Sequence, residues 1–155
     1  MRVLLVEDEA PKLANLKDFL RRGYPEFEVA TAKSVRSAVD ALRVHDADFA
    51  MVILDMSLPT FDIQNNESGG APQGFGGLEV MRFMDRRGAN IPVIVVTAYT
   101  AFDEGSLTLG LDDLRQKLLA EYPGAFRALV YYNVVYNTWT AELREAIDCE
   151  MKGQI

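Results

Sequence analysis

The sequence predicts an α/β domain built on a five-stranded parallel sheet. Three observations carry this: five short apolar runs of strand length, amphipathic helical segments between them, and acidic or polar residues placed where the apolar runs end. Strands that alternate with helices pair in parallel, because right-handed crossovers lay the helices over both faces of the sheet. Strands covered on both faces then read as continuous apolar runs. With 155 residues, the chain has room for one such domain, spanning residues 1–155, and for a core that needs no staples.

Residues 2–6, RVLLV, form the first buried strand and open into Glu7-Asp8-Glu9. Pro11 suits the first turn of a helix. Leu13, Leu16, Phe19 and Leu20 then recur at helical spacing over residues 10–22, and Gly23 closes the element. Phe27, Val29 and Thr31 make a second strand. Ser34 is placed to cap a helix carrying Val35, Ala38, Val39 and Leu42. The run from Phe49 to Leu54 is the third strand and leads straight into Asp55.

Beyond Pro59 the pattern changes. Residues 60–77 are rich in Gly, Asn, Gln and Ser and have no helical period, which predicts a long inserted loop. Loops longer than about 12–15 residues are uncommon in compact domains and are usually functional or disordered. A helix follows over residues 78–87 and ends at Gly88; IPVIVVT at 91–97 is the fourth strand. An extended helix is predicted from about 107 to 121, through Leu111, Leu114, Leu118 and Leu119, and is ended by Pro123-Gly124. RALVYY at 127–132 is the last strand, and residues 139–151 form the last helix.

Composition excludes several classes of function. An apolar content of 49% argues against disorder. The single cysteine, Cys149, rules out an internal disulfide or a cysteine metal cluster, and it is expected to be a buried or half-buried small hydrophobe. A net charge of −7 disfavours binding to nucleic acid or to anionic membranes. No apolar run approaches the roughly 18–20 residues of a membrane span, and no secretory signal opens the sequence, so a cytoplasmic location is the default expectation.

In open parallel sheets the ligand crevice lies beyond the carboxyl ends of the strands. Four strand ends deliver chemistry there: Glu7, Asp8 and Glu9; Asp55; Thr97; and Tyr132 with Asn133. Converging carboxylates repel unless a cation or a shared proton intervenes. With oxygen donors alone, the fitting cation is hard, Mg²⁺ first and Mn²⁺ as a substitute. Helix capping by Asp8 or Glu9 explains those acids singly but not the arrival of Asp55 at the same edge. For Thr97, ordinary β-branched strand packing is the competing explanation.

The strings VLLVEDE at 3–9, VILDMSLP at 52–59, GGLEVMRFM at 76–84 and PVIVVTAY at 92–99 resemble a response-regulator receiver domain of the CheY-like type. The resemblance implies a flavodoxin-like, doubly wound sheet of strand order 2-1-3-4-5. It implies that Asp55 accepts a phosphoryl group from a partner histidine kinase or phosphotransfer protein. Asp8 and Glu7 would hold Mg²⁺ together with Asp55 and the backbone carbonyl of Ser57, and the Thr97 hydroxyl would engage the phosphoryl oxygen. Such a domain catalyses at most its own phosphorylation and dephosphorylation. It signals to a downstream protein target, with a homodimer through the region from the fourth strand to the last helix as a further expectation.

One position departs from the family. Receivers carry a lysine just after the fifth strand, and here Asn133 stands there, with Lys117 in the preceding helix and Lys152 at the tail as the lysines considered and set aside. Asparagine can donate a hydrogen bond but supplies no positive charge. Stabilisation of the phosphorylated state and its coupling to Thr97 are therefore expected to weaken. The competing reading is a degenerate receiver acting as a phosphorylation-independent interaction module. A metal-dependent phosphatase of another α/β class is disfavoured, because Ser57 stands two residues after Asp55 where a second aspartate is required.

Overall fold

The computed structural model describes residues 1–45, 48–62, 74–104 and 106–153, and among these described residues twelve elements form. They are β1 (Arg2–Val6), α1 (Ala10–Gly23), β2 (Glu28–Ala32), α2 (Val35–His45), β3 (Phe49–Leu54), α3 (Gly76–Arg86), β4 (Val93–Thr97), β5 (Ala101–Glu104), β6 (Leu107–Gly110), α4 (Leu111–Glu121), β7 (Phe126–Tyr131) and α5 (Trp139–Gly153). Five strands make one parallel sheet of order β2-β1-β3-β4-β7. That is the doubly wound topology expected from the sequence.

Alternation along the central strands divides the core in two, since successive side chains point to opposite faces. Leu4, Val6, Val52, Leu54, Val93 and Val95 pack with α2, α3 and α4, while Val3, Leu5, Met51, Ile53, Ile94 and Val96 pack with α1 and α5. Beyond Arg2 at the amino end of β1, no polar residue interrupts these three strands before their carboxyl ends, so sheet burial and site placement come from the same runs.

Two expectations change. The helix expected from about residue 107 begins at Leu111, and Leu107–Gly110 instead pairs antiparallel with Ala101–Glu104 as a separate two-stranded ribbon. The reason is visible at Phe102, which is buried in the core and packs against Phe75 with ring centroids 5.8 Å apart. An alternating ribbon can insert that ring and then turn into α4, which a helix running through Leu107 would not do. Cys149, expected to be at least half-buried, is exposed on α5. Of the inserted loop expected at 60–77, residues 63–73 lie outside the described residues; Gly76 and Gly77 already belong to α3.

The described ends of that segment are tied down. Val35 and Arg36 donate their N–H groups to the carbonyls of Pro59 and Thr60 at 2.9 and 3.0 Å, and the Ser34 hydroxyl donates to the Asp62 carboxylate. At the other end α3 meets the loop after β3 backbone to backbone, and Gly77 N–H donates to Met56 O at 2.9 Å. A Cβ at Gly77 would stand 2.5 Å from Asp55 O and 2.9 Å from Met56 Cα, and one at Gly76 would stand 2.5 Å from Leu58 O. Glycine there lets the helix approach the loop that carries Asp55.

Gly77→Ala is therefore expected to destabilise the fold by about 1–3 kcal/mol, the usual range for overpacking, with urea unfolding as the measurement. A variant as stable as the parent chain would contradict the close approach.

Candidate functional site

The carboxyl ends of β1 and β3, adjacent in the sheet, deliver the acids. Glu7 and Asp8 directly follow β1, and Asp55 directly follows β3. Glu7 is 1% exposed and Asp55 4%, while Asp8 is half-buried at the rim. Each of the three offers a carboxylate oxygen within 4.8 Å of the others, close enough to share one cation. Glu9 N–H donates to Glu7 Oε1 at 3.0 Å, and Met56 N–H donates to Asp55 Oδ1 at 2.8 Å, which fixes both carboxylates to their own loops.

A fourth group joins them that the sequence reading did not place there. The Lys12 ammonium, 2% exposed, lies 2.6 Å from Glu7 Oε2 and 3.2 Å from Asp55 Oδ1, and donates to Val96 O at 2.7 Å. The Val96 contact is a hydrogen bond, whereas the two carboxylates hold the ammonium as close ion partners. The ammonium also faces the Tyr132 ring, 5.7 Å from its centroid, a favourable cation–π distance. Tyr132 is held in turn by Asn15, whose Nδ2 donates to its hydroxyl at 2.7 Å, and by Trp139, with ring centroids 5.0 Å apart.

The position after the last sheet strand is Asn133, as the sequence has it, and the cation of this crevice comes instead from the first turn of α1. A signal for it was in the sequence. Lys12 stands four residues before Leu16 and seven before Phe19, on the apolar stripe of its helix, and in the first turn, where the helix dipole favours acids. A basic residue on a buried stripe at an unfavourable helix end must be compensated by partners the fold supplies.

The remaining expected residues lie around this cluster. Thr97 ends β4 fully buried, and its Oγ1 accepts a hydrogen bond from Tyr99 N–H at 3.2 Å. Ser57 is buried two residues beyond Asp55. Asn133 follows β7, and its side-chain Oδ1 accepts from Val135 N–H at 2.9 Å, so it shapes its own loop. Lys12 reaches the Thr97 strand through its bond to the preceding carbonyl, that of Val96.

Electrostatics follow from burial. Desolvation, reinforced by the charge on Asp55 and opposed by Lys12, raises the Glu7 carboxyl from its ordinary 4.5 to about 7. Burial also raises Asp55, against the pull of Lys12, and raises Asp8. For Lys12, burial disfavours the charge, but Asp55 and Glu7 outweigh it and hold the ammonium above its ordinary range.

A sign follows for stability without divalent cations. As pH rises from 4.5 towards 7 the unfolded chain has released the Glu7 proton while the folded chain still holds it. Stability from this group is therefore highest below the ordinary value and is lost through that window. Urea midpoints at pH 5 and pH 7.5, in chelator, are expected to fall more in the parent chain than in Glu7→Gln; an equal fall in both would contradict the assignment.

Residues 3–118 match the family model described as the response regulator receiver domain. The chain is 25% identical over 150 residues to the Detocs response regulatory protein DtcB of Enterobacter cloacae, covering 95% of this chain and 98% of that one. It is likewise 25% identical over 147 residues to the uncharacterised protein y4jR of Sinorhizobium fredii, covering 94% and 96%. The fold resembles a CheY from Borrelia burgdorferi, solved as a CheX-CheY-BeF3-Mg complex, with a TM-score of 0.66 at 18% identity over 95% of this chain and 86% of that one. The response regulator domain of Thermotoga maritima CheB gives a TM-score of 0.64 at 20% identity over 98% and 96%. With its sheet order, its acidic strand ends and a family match over most of its length, the chain belongs to the response-regulator receiver domains of two-component signalling.

Proposed function

We propose that the chain is a phosphoacceptor of a two-component or phosphorelay system, taking a phosphoryl group from a histidine kinase or phosphotransfer protein onto Asp55. The observation that carries this reading is the meeting of Glu7, Asp8 and Asp55 oxygens within 4.8 Å at the strand-end crevice of a receiver fold. The donor set is all oxygen and fits a hard cation, so Glu7, Asp8 and Asp55, with the Ser57 carbonyl, are the residues to hold Mg²⁺. When bound, the ion offsets negative charge on the carboxylate and on the transferring oxygens.

The chain's own part is nucleophilic. A carboxylate oxygen of Asp55 attacks phosphorus, the P–N bond to the donor imidazole breaks, and its electron pair stays on that nitrogen. The acyl phosphate later yields to water, which attacks phosphorus; the bond to the Asp55 oxygen breaks and inorganic phosphate leaves. Because Asp55 is almost fully buried, charges around it act through less water than at a surface. Thr97 Oγ1 accepts from Tyr99 N–H, which leaves its own O–H to donate to a phosphoryl oxygen. The chemistry is confined to the domain's own phosphorylation and dephosphorylation, and output passes to a downstream protein target, with self-association through the β4 to α5 region as a further route.

A second reading, a phosphorylation-independent interaction module, is favoured by the Asn133 loop. Its side-chain oxygen is engaged by Val135 N–H, and Val134, Val135 and Tyr136 beyond it are exposed apolar residues of the kind a protein partner covers.

Acetyl phosphate with Mg²⁺, read by intact mass, separates the two. The phosphoacceptor reading expects an adduct on the parent chain that chelator prevents and Asp55→Ala abolishes with the fold intact. It expects Asp8→Ala to weaken Mg²⁺ binding by more than about tenfold, the least that even groups one shell further out usually contribute. A parent chain with no adduct and no response to Mg²⁺ would favour the interaction module.

A further inference from the structure

We infer that Lys12 is the residue that compensates the phosphoryl charge at Asp55, acting from the first turn of α1 in place of a lysine after the fifth sheet strand. This rests on the phosphoacceptor reading and deepens it. The geometry that points to it is local: an ammonium that is 2% exposed, 3.2 Å from Asp55 Oδ1 and 2.6 Å from Glu7 Oε2. The position after β7 that would otherwise supply such a charge holds Asn133, whose side-chain oxygen is committed to Val135 N–H.

Charge bookkeeping explains why a cation is needed there. Phosphorylation exchanges the single negative charge of a carboxylate for a phosphoryl group carrying roughly two at neutral pH. The crevice already holds Glu7 and Asp8, so the product state is more negative than the resting state even with a divalent ion present. An ammonium already in contact with Asp55 needs only to turn in place to meet that charge, so little reorganisation is left for the transition state, where donors held ready contribute most.

Lys12 is also placed to report what it binds. Its hydrogen bond goes to the carbonyl of Val96, next to Thr97 on β4, and its ring partner Tyr132 directly follows β7. In the resting chain the ammonium is shared between Glu7 and Asp55; with a phosphoryl group on Asp55 it turns towards the new oxygens and loosens from Glu7. The movement of one side chain thereby touches the ends of β1, β3, β4 and β7.

The test uses the full chain, with Lys12→Met as a nearly isosteric uncharged variant. Removing a positive charge beside the carboxylates should leave Mg²⁺ affinity, read by calorimetry, unchanged or higher. Adduct formation from acetyl phosphate should fall by about 10²-fold, the scale of losing one fixed donor to a developing oxyanion. Lys12→Met with Asn133→Lys should recover part of the loss. A readout without any variant is the Lys12 ammonium signal in proton–nitrogen side-chain spectra, expected to shift when beryllofluoride and Mg²⁺ are added.

Normal adduct formation by Lys12→Met, with none by Asp55→Ala, would overturn the role of Lys12 and leave the phosphoacceptor reading standing. Parallel loss of Mg²⁺ binding, adduct formation and cooperative unfolding in Lys12→Met, together with an unmoved ammonium signal in the parent chain, would reduce Lys12 to a structural ion pair. No adduct on the parent chain would remove the phosphoacceptor reading itself, and this inference with it.

Discussion

The constraint on which the site depends is the buried ammonium of Lys12. Removing a charge from water is penalised by several kcal/mol even after relaxation, and the fold tolerates it only when the group is paired and hydrogen-bonded. Here the pairing is threefold, to Glu7, Asp55 and the Val96 carbonyl. The compensation is mutual, because Glu7 and Asp55 are themselves buried acids whose charged forms would repel each other without a cation between them. The acids can sit at the sheet edge in a water-poor crevice because α1 begins beside them with a basic residue in its first turn.

That arrangement follows from how a doubly wound sheet is assembled. β1 and β3 are neighbours, so the residues after Val6 and after Leu54 meet at one edge. α1 leaves β1 after only a few residues, which brings its first turn over the same edge, and Pro11 fits there without sacrificing a hydrogen bond. On the opposite side, Gly76 and Gly77 let α3 approach the loop bearing Asp55 at backbone distance. Asp55 is therefore held between a helix that supplies charge and a helix that supplies a wall.

Much of this was legible in the sequence, for identifiable reasons. Unbroken apolar runs such as Val3–Val6 and Met51–Leu54 have few alternatives to a buried parallel strand, and the acids that end them mark the crevice directly. Residues 107–110, the second strand of the ribbon, read as the beginning of a helix because Leu107, Leu111 and Leu114 fit a helical period. What decides the matter is the distant packing of Phe102 on Phe75, a tertiary contact that local periodicity does not contain. Lys12 was missed for a related reason. The family's lysine is sought by its place in the chain, whereas electrostatics requires only a place in space, and α1 offers one from the other side of the crevice.

The most direct measurement is an experimental structure of the chain with Mg²⁺ and beryllofluoride. The expected result is a beryllium adduct on Asp55, the cation held by Glu7, Asp8 and Asp55, and the Lys12 ammonium within hydrogen-bond distance of a fluoride. An adduct on Asp55 with the ammonium still turned to Glu7 and Val96 alone, or a crevice that takes up neither ion, would contradict the account.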